Sequence, residues 1–123
     1  MELNLKELYE KGKGYIDYND TDSVENFYKY KKQDISQLDN VEILFKQLFL
    51  YACRNGTSEI LALLFQLYFT ILDEIQQIAL RQMFHYGKYI IIKRKNSEEL
   101  TEWYDSCVLE SMRNTKKSQV TTS

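Results

Sequence analysis

The apolar positions of this chain recur mainly at helical spacing. The clearest stripe is Val41, Leu44, Phe45, Leu48, Phe49 and Ala52, stepping i, i+3, i+4, i+7, i+8, i+11, as one face of an amphipathic helix does. It follows Asp39-Asn40 and ends at Arg54-Asn55-Gly56, where glycine suits a left-handed cap. Before it, a first helix is predicted from about Leu3 to Lys11, with Leu5, Leu8 and Tyr9 on one side and Gly12 and Gly14 breaking it. A second is predicted from Asp22 or Ser23, with Val24, Phe27, Tyr28 and Lys31 at helical spacing. After it, Thr57 or Ser58 caps a fourth helix. Asp73 caps a fifth, carrying Ile75, Ile78, Ala79, Gln82 and Met83 on one face and ending at Gly87. Asn96-Ser97 with Glu98 and Glu99 opens a sixth in the manner of a capping box, with Leu100, Trp103, Tyr104, Cys107 and Val108 facing inward.

The run Tyr89-Ile-Ile-Ile92 admits two readings. Its β-branched residues favour a strand, but no second strand is evident to pair with it, so a short buried helix or an extended connector is expected. From about Arg113 the tail is polar and expected to be disordered. The pattern therefore predicts an all-α fold: a small bundle or helical-repeat-like array of about six helices over residues 1–112, then a polar tail over 113–123. Phe49–Gly56 and Leu80–Gly87 share a layout of apolar residues running into glycine, 31 residues apart. That is near the ankyrin period, although the T-P-L-H signature is missing.

The segment Thr57 to Leu72 stands apart. It carries Phe65, Tyr68 and Phe69 among leucines on nearly every face. A helix that is apolar all round must be covered on all sides, and this one falls short of the roughly 20 apolar residues that cross a bilayer. Its cover comes either from most of the other helices or from a second protein.

Composition narrows the function. Aromatics reach 14%, with ten tyrosines. Tyrosine suits interfaces, while nucleotide bias toward AT-rich codons is the competing explanation. The net charge of −2 argues against an autonomous nucleic-acid binder, which needs a basic face. Cys53 and Cys107 lie far apart without metal-ligand spacing, and the start Met1-Glu-Leu-Asn-Leu has no secretory character. Reduced thiols in the cytosol or nucleus are expected.

No residues form a recognisable catalytic set. His85 is the sole histidine and reads as structural or solvated. Cys107 beside Trp103 and Tyr104 reads as core. Asp73-Glu74 and Glu98-Glu99 sit at helix starts, where the helix dipole favours anions. Gly12-Lys-Gly14 lacks the Lys-Ser/Thr and preceding strand of a phosphate loop. No metal, cofactor, small-molecule substrate or membrane is expected. Two basic clusters remain: Lys93-Arg94-Lys95, read as a solvated loop with phosphate contact as the alternative, and Arg113 with Lys116-Lys117, a short nuclear-targeting patch at most. The aromatics of Tyr15-Ile-Asp-Tyr18 and Phe27-Tyr-Lys-Tyr30 are interleaved with acidic residues, which favours protein contact over base stacking.

The acidic segment Asp20-Thr-Asp-Ser-Val24 with Phe27 after it, followed by the helix holding Leu63-Leu-Phe-Gln-Leu-Tyr-Phe-Thr70, resembles the N-terminal domain of subunit 1 of the small nuclear RNA-activating protein complex (SNAPc). The resemblance covers residues 3 to 72. The family's proline-bearing turn before the aromatic helix is replaced here by Arg54-Asn-Gly-Thr57. The resemblance implies a nuclear, non-enzymatic scaffold subunit at small nuclear RNA gene promoters. It implies contact with the large Myb-containing subunit and the zinc-bearing subunit, with DNA met only indirectly or weakly. The expected contact residues are Leu64, Phe65, Tyr68 and Phe69, with Phe27 and Tyr28 as a second patch and Lys93, Arg94 and Lys95 as the nucleic-acid candidates. Ordinary core packing is the competing reading for each aromatic. The alternative function is a stand-alone ankyrin-like or helical-repeat adaptor.

Overall fold

The stripe from Val41 to Ala52 folds as its spacing predicts. In the computed structural model, which describes residues 4–26 and 39–114, it forms helix α3, Val41–Asn55, and all six stripe positions are buried together with Cys53. The other helices are α1 (Leu5–Asp17), α2 (residues 21–26), α4 (Ser58–Ile71), α5 (Glu74–Ala79), α6 (Met83–Ile92) and α7, which starts at Glu98. Helix α7 is α-helical over Glu98–Tyr104, widens into a π-helical turn at Asp105–Leu109 and continues to residue 114, past the expected boundary at 112. The fold is all-α, with no strand among the described residues. Phe27, Tyr28, Lys31, Lys116 and Lys117 lie outside the described residues.

Side-chain contacts fix how the helices stack. Helix α1 lies along α3: Gly12 faces Leu48, Asp17 accepts a 2.6 Å bond from Tyr51 Oη, and Asn19 accepts one of 2.6 Å from Thr57 Oγ1. Both chains of contact rise together in sequence, so α1 and α3 run parallel. Helix α6 lies along α3 in the same sense, with Phe84 against Phe49 and Gly87 against Cys53. Helices α4 and α7 run back antiparallel: Phe45 meets Tyr68, while Arg81 reaches the Met112 carbonyl and Lys88 reaches Asp105. The result is a row of first helices, α1, α3 and α6, with α4 returning beside α3 and α7 beside α6. Packed hairpins of this kind share one continuous core. Residues in contact between the first helices lie 34 or 36 apart for α1 and α3, and 34 or 35 apart for α3 and α6. The 31-residue layout seen in the sequence is not the structural register, because Gly56 closes α3 while Gly87 sits inside α6.

The caps follow side-chain chemistry. Asn4, Asp20, Thr57 and Asp73 each accept a backbone N–H of the first helical turn. At Asp73 the box is complete, since Gln76 Oε1 accepts the Asp73 N–H at 3.0 Å. Asp20 also takes a 2.5 Å bond from Ser23 Oγ, and these bonds hold its carboxyl below the usual range. The expected box at Ser97 does not form: Ser97 Oγ donates to the Ile92 carbonyl instead.

Three further expectations are corrected. Gly12 and Gly14 do not end α1, and Gly87 does not end a fifth helix; all three lie within helices. A Cβ on Gly12 would sit 2.5 Å from Leu48 Cδ2, and one on Gly87 would sit 2.8 Å from both Cys53 Sγ and Tyr104 Oη. These two glycines let α1 and α6 approach α3 from opposite sides. Gly56 is extended (φ −93°, ψ 177°), not left-handed; the left-handed residues among those described are Asn19, Asn40 and Asn96, a residue type that tolerates that conformation. The predicted fifth helix is two helices, α5 and α6, separated by a turn that buries Leu80. Tyr89–Ile92 belongs to α6 and is helical.

Candidate protein-interaction surface

Helix α4 is less needy than its composition suggests. Ile60, Leu61, Leu64, Tyr68 and Ile71 are buried, and Leu63, Phe65 and Leu67 pack against the core at partial exposure. Leu64 and Tyr68 therefore sit in the core, the Tyr68 hydroxyl donating to the Gln77 carbonyl. Burial pushes the Tyr68 phenol up to about 12. Phe65 is half-buried, edge-on to Phe69 at 5.2 Å and to Phe84 at 5.5 Å. Of the four expected α4 contact residues, Phe69 alone is exposed, at 40%.

The surplus of apolar surface lies on α5 and α6. Helix α5 buries none of its residues, and Ile75 and Ile78 are 80% and 61% exposed. At i and i+3 they share one face. Sequence reasoning missed them by reading Ile75, Ile78, Ala79, Gln82 and Met83 as one inward stripe. The turn at Leu80 breaks that stripe, sending Leu80, Met83 and Phe84 into the core while the two isoleucines face water. The Asp73 box marks where α5 starts, but nothing local marks its early stop. Gln76 Nε2 reaches Glu42 Oε2 at 3.2 Å, which ties α5 to the start of α3. Ile43, 48% exposed, and Phe69 belong to the same end of the stack, where α3 begins and α4 ends.

A second feature is a groove of about 870 Å3 between α6 and α7. Phe84 and Met112 are buried beneath it, and Leu109, Tyr89 and Ile92 line it. Its polar rim holds Arg81 in the turn before α6, His85 and Lys88 on α6, and Asp105, Glu110 and Arg113 on α7. Lys88 pairs with Asp105 at 2.9 Å and Arg113 with Glu110 at 3.4 Å.

The basic cluster divides. Lys93 and Lys95 are exposed, but the Arg94 guanidinium donates to the carbonyls of Cys53 and Gly56, at 3.1 and 2.9 Å. A cation there satisfies the open carbonyls at the end of α3 and complements its dipole. Arg94→Ala is expected to cost about 1.5 kcal/mol, the low end for charge-assisted bonds at a partly wet site. Urea denaturation checks this, and unchanged stability would return Arg94 to the surface cluster.

The thiols separate as well. Cys53 is buried, and burial pushes it up to about 12. Cys107 is exposed, against the expectation that it faces the core. The π-helical turn at Asp105–Leu109 accommodates an extra residue and rotates Val108, not Cys107, into the core. Tyr104 is sealed inside, its hydroxyl donating to the Phe84 carbonyl at 2.5 Å, and burial raises its phenol well above the ordinary value. No cluster of three or more His, Cys, Asp or Glu able to hold a metal occurs among the described residues. None of the described helices is long and apolar enough to cross a membrane. Comparisons with protein-family models, curated proteins and solved structures yield no match to this chain.

Proposed function

We propose that this chain is a non-enzymatic adaptor, a short helical-repeat stack that binds another protein through α5 and the neighbouring Phe69. The observation that carries this reading is the pair Ile75 and Ile78, displayed on a helix that buries nothing of its own. Scattered exposed apolar residues are ordinary, but a helix that contributes no buried side chain to the core and pairs two isoleucines on one face offers that face to the surface. It also occupies the connection between successive hairpins, where repeat proteins commonly place binding segments.

The double variant Ile75→Glu/Ile78→Glu tests this. Both positions are exposed, so thermal stability should stay within about 0.5 kcal/mol of wild type. Affinity capture from the native organism, quantified by mass spectrometry, should lose one specific partner at least tenfold. An unchanged set of captured proteins would defeat the proposal.

The SNAPc-like scaffold is a more specific form of the same reading. It rests on the resemblance of Asp20–Val24 and Leu63–Thr70, and it would place the chain in the nucleus beside a Myb-repeat subunit and a zinc-bearing subunit. Recovery of those proteins in the same capture would favour it. Recovery of an unrelated partner would favour the stand-alone adaptor.

A further inference from the structure

We infer, resting on the adaptor reading, that the partner segment bound at α5 is an amphipathic helix with a basic side chain at one end of its contact and an acidic one at the other. Among the described residues there is no strand edge for a partner to extend. An apolar helical face suits a second helix instead, whose anchors at i, i+3 and i+4 repeat at the spacing of Ile75 and Ile78. The apolar face also continues past α5. Ala79, exposed at its last position, opens onto a cleft of about 420 Å3 that Leu80, Met83, Tyr86 and Lys46 line. Leu80 and Met83 are buried and Tyr86 is 59% exposed, so the cleft has an apolar floor and an open mouth. It gives an anchoring side chain a seat beside the two isoleucines.

The two ends of this surface differ in sign. Glu74 heads α5 and, at i and i+4, shares a side with Ile78. Asp73 precedes it, and the last turn of α4 carries no basic residue. At the far end Lys46 lines the cleft. Glu74 and Lys46 are exposed, and neither enters a salt bridge among the described residues. Glu42, one turn before Lys46 on α3, is bonded to the neutral Gln76 amide instead. The rise of α5 sets its ends about 8 Å apart, roughly one and a half turns of a partner helix. A basic side chain of that helix meets Glu74 and an acidic one meets Lys46. Such charges fix the orientation of a partner more than they add strength.

Affinity capture on the full chain tests this against the α5-dependent partner, the protein that Ile75→Glu/Ile78→Glu loses. Glu74→Lys and Lys46→Glu should each keep their helicity by circular dichroism and weaken recovery of that protein about tenfold or more, since a reversed charge meets its like across the contact. On wild type, a zero-length carbodiimide should join Glu74 to a lysine, and Lys46 to a carboxylate, of one partner segment with apolar residues at i, i+3 and i+4. Wild-type recovery by either reversal, or cross-links to a segment without that spacing, overturns the helix and leaves the adaptor standing, because the isoleucines still govern capture. An isoleucine variant that captures every protein the wild type does overturns both. If a reversal unfolds the chain, the wild-type cross-links decide: both present supports the helix, and the absence of either overturns it.

Discussion

Phe84→Ala should cost about 3–5 kcal/mol, the range for emptying a buried aromatic site. That is a large share of the roughly 5–15 kcal/mol that holds a domain folded. Phe84 is fully buried and meets three rings edge-on: Phe49 at 5.1 Å, Phe65 at 5.5 Å and Tyr68 at 4.8 Å. These rings come from α3 and α4, so one side chain of α6 joins the α3–α4 hairpin to the α6–α7 hairpin. Alanine removes the transfer free energy of the ring, its edge-to-face contacts and the packing of all three neighbours at once. The Tyr104 bond to the Phe84 carbonyl is to the main chain and survives, so the loss reports packing alone. Phe84→Leu keeps most of the volume and should lose less than about 2 kcal/mol. Urea denaturation followed by circular dichroism gives both values. A Phe84→Ala loss under about 1 kcal/mol, outside the range for a filled core site, would mean that the α6–α7 hairpin does not depend on this cluster.

How much of this was readable from the chain depends on whether a signal was periodic or spatial. Helix α3 was readable in full because one face of one long helix meets the core along its whole length. The caps at Thr57 and Asp73 were readable because a short polar side chain before an apolar run has one local use. The adaptor surface was not. Ile75 and Ile78 fit a helical stripe with Met83, and only the turn at Leu80 takes them off it. The apolar wealth of α4 pointed to a partner, yet five of its residues are buried by the chain's own helices, and the motif behind the SNAPc resemblance includes two of them, Leu64 and Tyr68. Arg94 looked like one of three loop cations because the carbonyls it serves lie 38 and 41 residues earlier. Cys107 looked inward because a π-helical turn leaves no mark in a pattern read at 3.6 residues per turn.

The glycines show the same contrast and give the sharpest test of the stacked arrangement. Glycine inside a helix costs roughly 1 kcal/mol relative to alanine, so replacing it should stabilise wherever space allows. Gly14 has no atom within 4 Å of a built Cβ, and Gly14→Ala should raise stability by about 1 kcal/mol. Gly87 has Cys53 Sγ and Tyr104 Oη 2.8 Å from that position and Phe49 Cε1 3.5 Å away. None can retreat cheaply. Cys53 and Tyr104 are fully buried, and the Tyr104 hydroxyl is committed to the Phe84 carbonyl. Gly87→Val therefore has to push α6 away from α3 or break that bond, and the overpacking should cost about 3 kcal/mol, outweighing any helix-propensity gain. Two substitutions of the same parent residue in the same kind of helix should thus shift the melting temperature in opposite directions. If Gly87→Val melts at or above the wild-type temperature, α6 does not press against α3 at Cys53, and the parallel row of first helices is wrong.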